Sequence, residues 1–377
     1  MIFRRTCAAL GTALAVAYLL GCEPVSTVES DSGGAARTAS QRSSTWTVRR
    51  PISMPVGGTS DVYFADSGAA SSSVNVVRMG AIFTEETEKS LDCYTSRSPD
   101  EELSNEIIRA ARRGIRVRAL LPAEFVASAE GRRWVAAGVE CKPDGMATES
   151  DYDFIVADSE RLLVGNWDFV SGQPSDSSLL FWLDEEDVAS AYTTWFNARW
   201  QGSRVNQQAL PRNASPADSP SRTRAAIGYS KQSSHRIEQA IRRSRRSVHF
   251  LAGDMIDDEI TSALTEAAGR GVDVSGVVGS REQSGAIGLE RLTDLERVHL
   301  LKAASASQGM RHNFYIIDGN FVMVLSKMPR GNANSLEATS VISTRDNKLL
   351  ASFKDEFARI QGRAAATVTS RLERAFR

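Results

Sequence analysis

Two stretches of this chain place carboxylates, an arginine and amides at matching spacing. The first runs Asp151-Tyr152-Asp153-Phe154-Ile155-Val156-Ala157-Asp158 and continues to Gly165-Asn166-Trp167-Asp168. The second runs Arg311-His312-Asn313-Phe314-Tyr315-Ile316-Ile317-Asp318 and continues to Leu325-Ser326-Lys327-Met328. Their closing aspartates lie 160 residues apart (318 minus 158), as if one template were used twice. Alternate side chains of a strand share a face, so Asp151 and Asp153 point one way, as do Arg311 and Asn313. Asp151, Asp153 and Asp168 offer oxygen ligands of the kind that hold Mg²⁺ or Ca²⁺, although their spacing matches no calcium loop. Arg311 is a cation that would keep neighbouring carboxylates ionised.

The elements that must position these groups are doubled as well. A helix beginning at Glu101 carries Leu103, Ile107, Ala110 and Ala111 on one face and stops at Arg113-Gly114. A second helix beginning at Asp258 carries Ile260, Leu264, Ala267 and Ala268 and stops at Arg270-Gly271. Gly271 follows Gly114 by 157 residues (271 minus 114), so the two halves stay in register. Strands are expected before these helices at 90–96 and 247–252, and after them at 115–121 and 272–278. Strand, helix, strand at this spacing predicts right-handed crossovers and a largely parallel sheet. Further strands are expected at 138–142, 161–164, 298–301 and 321–325, and 62–64 reads as an edge strand. Each half closes with an aromatic helix. One carries Tyr192, Trp195, Phe196 and Trp200, the other Phe353, Phe357 and Ile360, and both stripes read as core. Residues 203–224, with Pro211, Pro216 and Pro220, read as a surface linker.

The doubled spacing resembles the catalytic motif of the phospholipase D superfamily, His-x-Lys-x4-Asp-x6-Gly-Ser-x-Asn, over roughly residues 75–363. The resemblance implies an α/β fold of two tandem phospholipase D-like domains packed about a pseudo-twofold axis. Each would be a mostly parallel mixed sheet flanked by helices, at 56–202 and 225–363, with a tail or helix at 364–377. It also implies a cleft in which one motif histidine attacks phosphorus and the other protonates the leaving group, while lysines and asparagines hold the phosphate. Little of that chemistry carries over. Asp151 and Arg311 stand at the histidine positions, and Asp153 and Asn313 at the lysine positions. Asp158, Asp318, Gly165 and Ser326 match the motif. Asn166 replaces the serine, Leu325 the glycine, and Asp168 and Met328 the asparagines. The motif-equivalent cleft positions are therefore Asp151, Asp153, Asp158, Asn166, Asp168, Arg311, Asn313, Asp318 and Ser326, none of them assigned a catalytic role.

His312 does not rescue the second motif, because strand alternation points it away from 311 and 313. Arg311 is expected to pair with Asp151 or Asp153 and plug the former cleft, so that truncating it leaves a buried charge unpaired. The leading expectation is a catalytically inactive binding or scaffolding module. The alternative is a phosphodiesterase acting on phospholipid or nucleic acid by altered chemistry, with Asp151 as nucleophile. Neither reading calls for a cofactor, and no metal site is assigned.

The front end sets the expected location. Arg4 and Arg5 precede an apolar run from Cys7 to Leu20, too short for a comfortable transmembrane helix. Leu19-Leu20-Gly21-Cys22 resembles a bacterial lipobox, which implies a signal peptide at 1–21 and lipid on Cys22. Residues 22–55 read as a flexible tether rich in Ser, Thr and Gly. The expected partners are a membrane, through the N-terminal lipid, and an unidentified envelope protein or ligand; Glu23 favours the outer membrane of a diderm cell. With 45 basic and 46 acidic residues the chain is nearly neutral, which makes nucleic acid an unlikely partner. Cys93 and Cys141 are expected as buried thiols, although the compartment allows a disulfide. The run Arg242, Arg243, Arg245, Arg246 reads as a solvated helix end.

Overall fold

The two Arg-Gly stops work as the periodicity predicts, and each has a second use. Gly114 (φ +91°) and Gly271 (φ +88°) take the left-handed conformation that ends a helix. The arginine before each glycine reaches back to the end of the preceding helix. Arg113 Nη2 donates to the carbonyls of Thr84 and Glu85, at 3.3 and 3.1 Å. Arg270 Nη2 donates to those of Ile241 and Ser244, at 3.2 and 3.4 Å. Terminal carbonyls with no intrahelical partner thus receive a cation in both halves.

The computed structural model describes residues 47–48, 60–66, 76–96, 98–144, 153–165, 179–202, 222–253, 258–279, 292, 295–303, 313–326 and 338–375. The first half runs β1 (Thr47–Val48), β2 (Asp61–Asp66), α1 (Val76–Glu85), β3 (Ser90–Tyr94), α2 (Glu101–Arg112), β4 (Arg116–Leu121), α3 (Ala123–Ala127), α4 (Ala129–Ala136), β5 (Glu140–Pro143), β6 (Asp153–Ala157), β7 (Arg161–Gly165), β8 (Leu179–Leu183) and α5 (Glu186–Trp200). The second runs β9 (Thr223–Tyr229), α6 (Ser230–Arg243), β10 (Ser247–Ala252), α7 (Asp258–Gly269), β11 (Asp273–Val278), β12 (Val298–Lys302), β13 (Asn313–Ile317), β14 (Phe321–Leu325), β15 (Ala338–Thr344) and α8 (Asn347–Ala375).

The sheets are ordered β1-β2-β8-β7-β6-β3-β4-β5 and β12-β11-β10-β13-β14-β15-β9. Read in opposite directions they are the same sheet, with β1 added to the first. The α/β duplication holds, but the expectation of mostly parallel pairing does not. Among the described residues, pairing is parallel between β3, β4 and β5 and between β10, β11 and β12, and antiparallel elsewhere. The crossover helices generate the parallel corner, while a tight hairpin after each motif strand turns the rest antiparallel. Two boundaries also shift. Thr47–Val48, inside the expected tether, pairs with β2, so β2 lies one strand in from the edge. The expected linker runs two residues too far, because Thr223 and Arg224 already pair with β15. Residues 364–375 continue α8 as helix.

Three cores form. One fills the first half between its sheet and α1, α2 and α4, and one the second half beneath α6 and α7. The third lies between the halves and draws side chains from both sheets and from α5 and α8. Phe353 of α8 is central to it. Its ring meets Phe314 at 4.9 Å in its own half, and Phe64 at 5.2 Å and Phe181 at 5.7 Å in the other. In return, Tyr192 of α5 donates its hydroxyl to Ser340 Oγ of β15 at 3.0 Å, in a buried bond. Tyr192→Phe is expected to cost about 1 kcal/mol, the usual net value of one such bond, read as a shift in the denaturation midpoint.

Cys93 and Cys141 are free thiols, the first buried and the second partly exposed. Both pair with Ala119, from the two sides of β4. Two strand spacings, about 10 Å, separate them, beyond the reach of a disulfide. Burial pushes the Cys93 thiol far up and that of Cys141 to about 11, so neither is a reactive thiolate near neutral pH.

Candidate functional site

The two positions that align with the motif lysines open strands β6 and β13, and both hold acceptors turned to the same structural task. Asp153 is 2 % exposed; its Oδ1 accepts the Ser96 backbone N–H at 2.7 Å and the Ser96 hydroxyl at 3.1 Å. Asn313 is 3 % exposed; its Oδ1 accepts the Gly253 N–H at 3.1 Å. Ser96 and Gly253 are equivalent residues, each just past the end of the neighbouring strand, where the ladder no longer supplies a partner. The face also differs from the expectation. Asp153 lies on the strand side of Ile155 and Ala157, and Asn313 on that of Tyr315 and Ile317, toward the outer helices. Phe154, Val156, Phe314 and Ile316 take the side facing the other half. The cleft orientation expected of these two positions is therefore not met.

Asp158 and Asp318, expected in the cleft, lie at the opposite ends of the same strands. Each occupies the first left-handed position of a tight hairpin turn, the three residues between the paired Ala157 and Arg161 or Ile317 and Phe321. Asp158 and Ser159 have φ of 58° and 63°, Asp318 and Gly319 of 52° and 69°. Glu160 N–H returns to the Ala157 carbonyl and Asn320 N–H to that of Ile317, both at 3.1 Å. From this turn each carboxylate reaches the start of the neighbouring strand. Asp158 accepts the N–H groups of Glu88, Lys89 and Ser90 at 3.1, 2.7 and 2.9 Å. Asp318 accepts those of Arg245, Arg246 and Ser247, the shortest at 2.7 Å. Burial opposes ionisation of both, but the three amides outweigh it and hold both carboxyls below the ordinary 3.8. These aspartates clamp the sheet.

Two further motif positions are also structural. Gly165 sits where a Cβ would come 2.2 Å from the Leu179 carbonyl oxygen of β8. Gly165→Ala is expected to destabilise by about 2 kcal/mol through this clash, again read in the denaturation midpoint. Ser326 Oγ accepts the Ser340 N–H at 3.1 Å and prolongs the β14–β15 ladder toward the hydroxyl that meets Tyr192. Asp151, Asn166, Asp168, Arg311 and His312 lie outside the described residues, as do Cys22 and the signal segment.

No described histidine lies on a motif strand. His235 is exposed on α6 beside Glu238. His249 of β10 stacks on Phe357 at 5.0 Å, and His299 is exposed on the edge strand β12. Among the described residues no three or more His, Cys, Asp or Glu converge as a metal site. Sequence reasoning missed a buried ion pair. Arg118 holds Asp92 with two bonds, of 2.8 and 2.6 Å, donates to Asn197 at 2.8 Å, and lies over the Phe196 and Trp200 rings. The register pairs Asp92 directly with Arg118 on adjacent strands and so fastens α5 to the sheet. An alternating charge in each of two expected strands was the available signal.

Residues 237–361 match the family model described as "Cardiolipin synthase, PLD-like domain". No curated protein sequence matches the chain. Among solved structures, a phosphatidylserine synthase from Haemophilus influenzae superposes with a TM-score of 0.57 at 10 % identity, covering 77 % of this chain and 84 % of the synthase. A polyphosphate kinase from Porphyromonas gingivalis superposes with a TM-score of 0.56 at 11 % identity, covering 80 % of this chain. The chain spans 50 % of the kinase's length. At these identities the likeness is one of fold. Residues 237–361 thus carry a phospholipase D-like domain by sequence, and the first half repeats the same sheet order strand for strand.

Proposed function

We propose that this protein is a phospholipase D-like module that has given up phosphodiester chemistry and serves as a binding or scaffolding component of the cell envelope, held there by lipid on Cys22. The observation that carries the loss of chemistry is the fate of the two lysine positions. Asp153 and Asn313 are buried acceptors engaged by backbone amides, so neither presents a cation to a phosphate. A carboxylate at one of them would repel a phosphodiester. The anchor is supported by the lipobox-like Leu19-Leu20-Gly21-Cys22.

The test is an assay of residues 43–377 for hydrolysis of phospholipid, single-stranded DNA and a chromogenic diester, with and without Mg²⁺ or Ca²⁺. Phospholipid heads the substrates because a phosphatidylserine synthase shares the fold. No turnover is expected. Turnover that disappears in Asp151→Asn would overturn the proposal and make the chain an unconventional phosphodiesterase. The anchor is tested separately by palmitate labelling of the full chain, which Cys22→Ala should abolish.

A further inference from the structure

The two halves carry opposite charge at one equivalent place. The turn from α1 to β3 reads Glu85-Glu86-Thr87-Glu88-Lys89-Ser90, and the turn from α6 to β10 reads Arg242-Arg243-Ser244-Arg245-Arg246-Ser247. Both have the same backbone role, since each ends in three amides that feed a motif aspartate. The residues therefore correspond one to one, and three glutamates and a lysine face four arginines. Arg242 is committed to Glu238 and Glu266. Arg243, Arg245 and Arg246 are exposed, and among the described residues none of the three forms an ion pair. Asp318 lowers the local potential near Arg246, but its oxygens are occupied by amides.

Helix-end electrostatics account for part of this pattern. Arginines at the last turn of α6 complement its dipole. Arg245 and Arg246 lie beyond the helix, however, and the equivalent end of α1 carries glutamates against the same dipole. The aspartate clamp fixes the backbone beneath the three exposed arginines, so little backbone ordering is needed to present them to a flat surface.

We propose that the α6–β10 turn is an electrostatic docking site for a membrane surface bearing anionic phospholipid head groups. A protein partner is a poorer fit. Stable protein interfaces have an apolar centre, and the large apolar side chain exposed among the described residues is Val135, on α4 of the first half. An anionic bilayer needs no apolar contact. Each arginine near its surface contributes roughly fivefold in affinity, and three about a hundredfold. The proposal takes its setting from the envelope reading above, where lipid on Cys22 would keep the turn close to a bilayer.

Residues 43–377 form a compact unit of their own, so they can be tested without the anchor. The experiment is co-sedimentation with vesicles of pure phosphatidylcholine and with vesicles containing about one third phosphatidylglycerol, at low and high salt. Binding is expected to the anionic vesicles alone and to vanish at high salt. The triple variant Arg243→Gln, Arg245→Gln, Arg246→Gln should bind about a hundredfold more weakly. Its melting should fall only slightly, because Asp318 uses backbone amides and of the three only Arg243 lies in the last turn of α6. Equal binding to neutral vesicles, or undiminished binding by the triple variant, overturns the proposal. So does salt-sensitive self-association in sedimentation velocity, or tighter binding to single-stranded DNA, either of which gives the turn another partner. Palmitate labelling reports on the anchor independently, so the two readings fail separately.

Discussion

Phe353→Ala is expected to destabilise the protein by about 4 kcal/mol, the middle of the range for a buried aromatic. The ring is fully buried and touches three aromatic neighbours, two of them in the other half. Truncation removes its apolar burial and leaves a cavity bounded by two rigid sheets, which cannot close around it. Because the cavity lies between the halves, both should lose stability together, in a single shifted transition on guanidinium denaturation. A change below about 1 kcal/mol, or two separated transitions in the variant, would show that Phe353 is not the joint between the halves.

Asp318→Ala is expected to cost about 3 kcal/mol, and Asp158→Ala a similar amount. Each substitution strips three backbone amides of a charged acceptor, and hydrogen bonds to charged groups are worth more than neutral ones. Partial exposure lets water recover some of that loss, which keeps the value well below the sum of three bonds. Alanine also strains the left-handed backbone, so Asp158→Gly should recover about 1 kcal/mol relative to Asp158→Ala. Asparagine keeps the shape without the charge and should fall between aspartate and alanine. The pH dependence follows from the depressed pKa values. A carboxyl held below its ordinary 3.8 contributes stability that is fully present above that value and lost as pH falls through the lower folded value. Acid unfolding should therefore steepen below about pH 4 in the parent and flatten in a variant lacking both carboxylates. An unchanged acid limb would sink the clamp.

The elements legible in the sequence are those with a local signature. Strand β10 and the starts of α2 and α7 fall where the apolar pattern places them. Strand β8 does not, because Leu179–Leu183 is apolar at every position and buried on both faces, so it has no alternation. Strand β15 fails for the opposite reason: Ala338–Thr344 is rich in Ser and Thr, and its place is set by pairing on both sides. At the site, the motif spacing singled out Asp153, Asp158, Asn313 and Asp318 but not the structural bonds that they make. The Asp318-Gly319 dipeptide is a strong local signal for a tight hairpin turn. Read that way, it puts the motif aspartate in a turn, away from any cleft. The bonds of Asp153 to Ser96 and of Asn313 to Gly253 depend on which strand lies alongside, which spacing within one stretch does not encode.

The reciprocal placement of the closing helices has a consequence for how this chain can diverge. Each copy of the duplicated unit needs the other's helix to complete its inner wall, so its inner wall is under joint custody. A change in the last helix of the second copy is felt by strands of the first, and drift there must be matched across the duplication. The outer turns are under no such bond. They can part company freely, to the point where one copy presents glutamates and the other arginines on the same backbone frame.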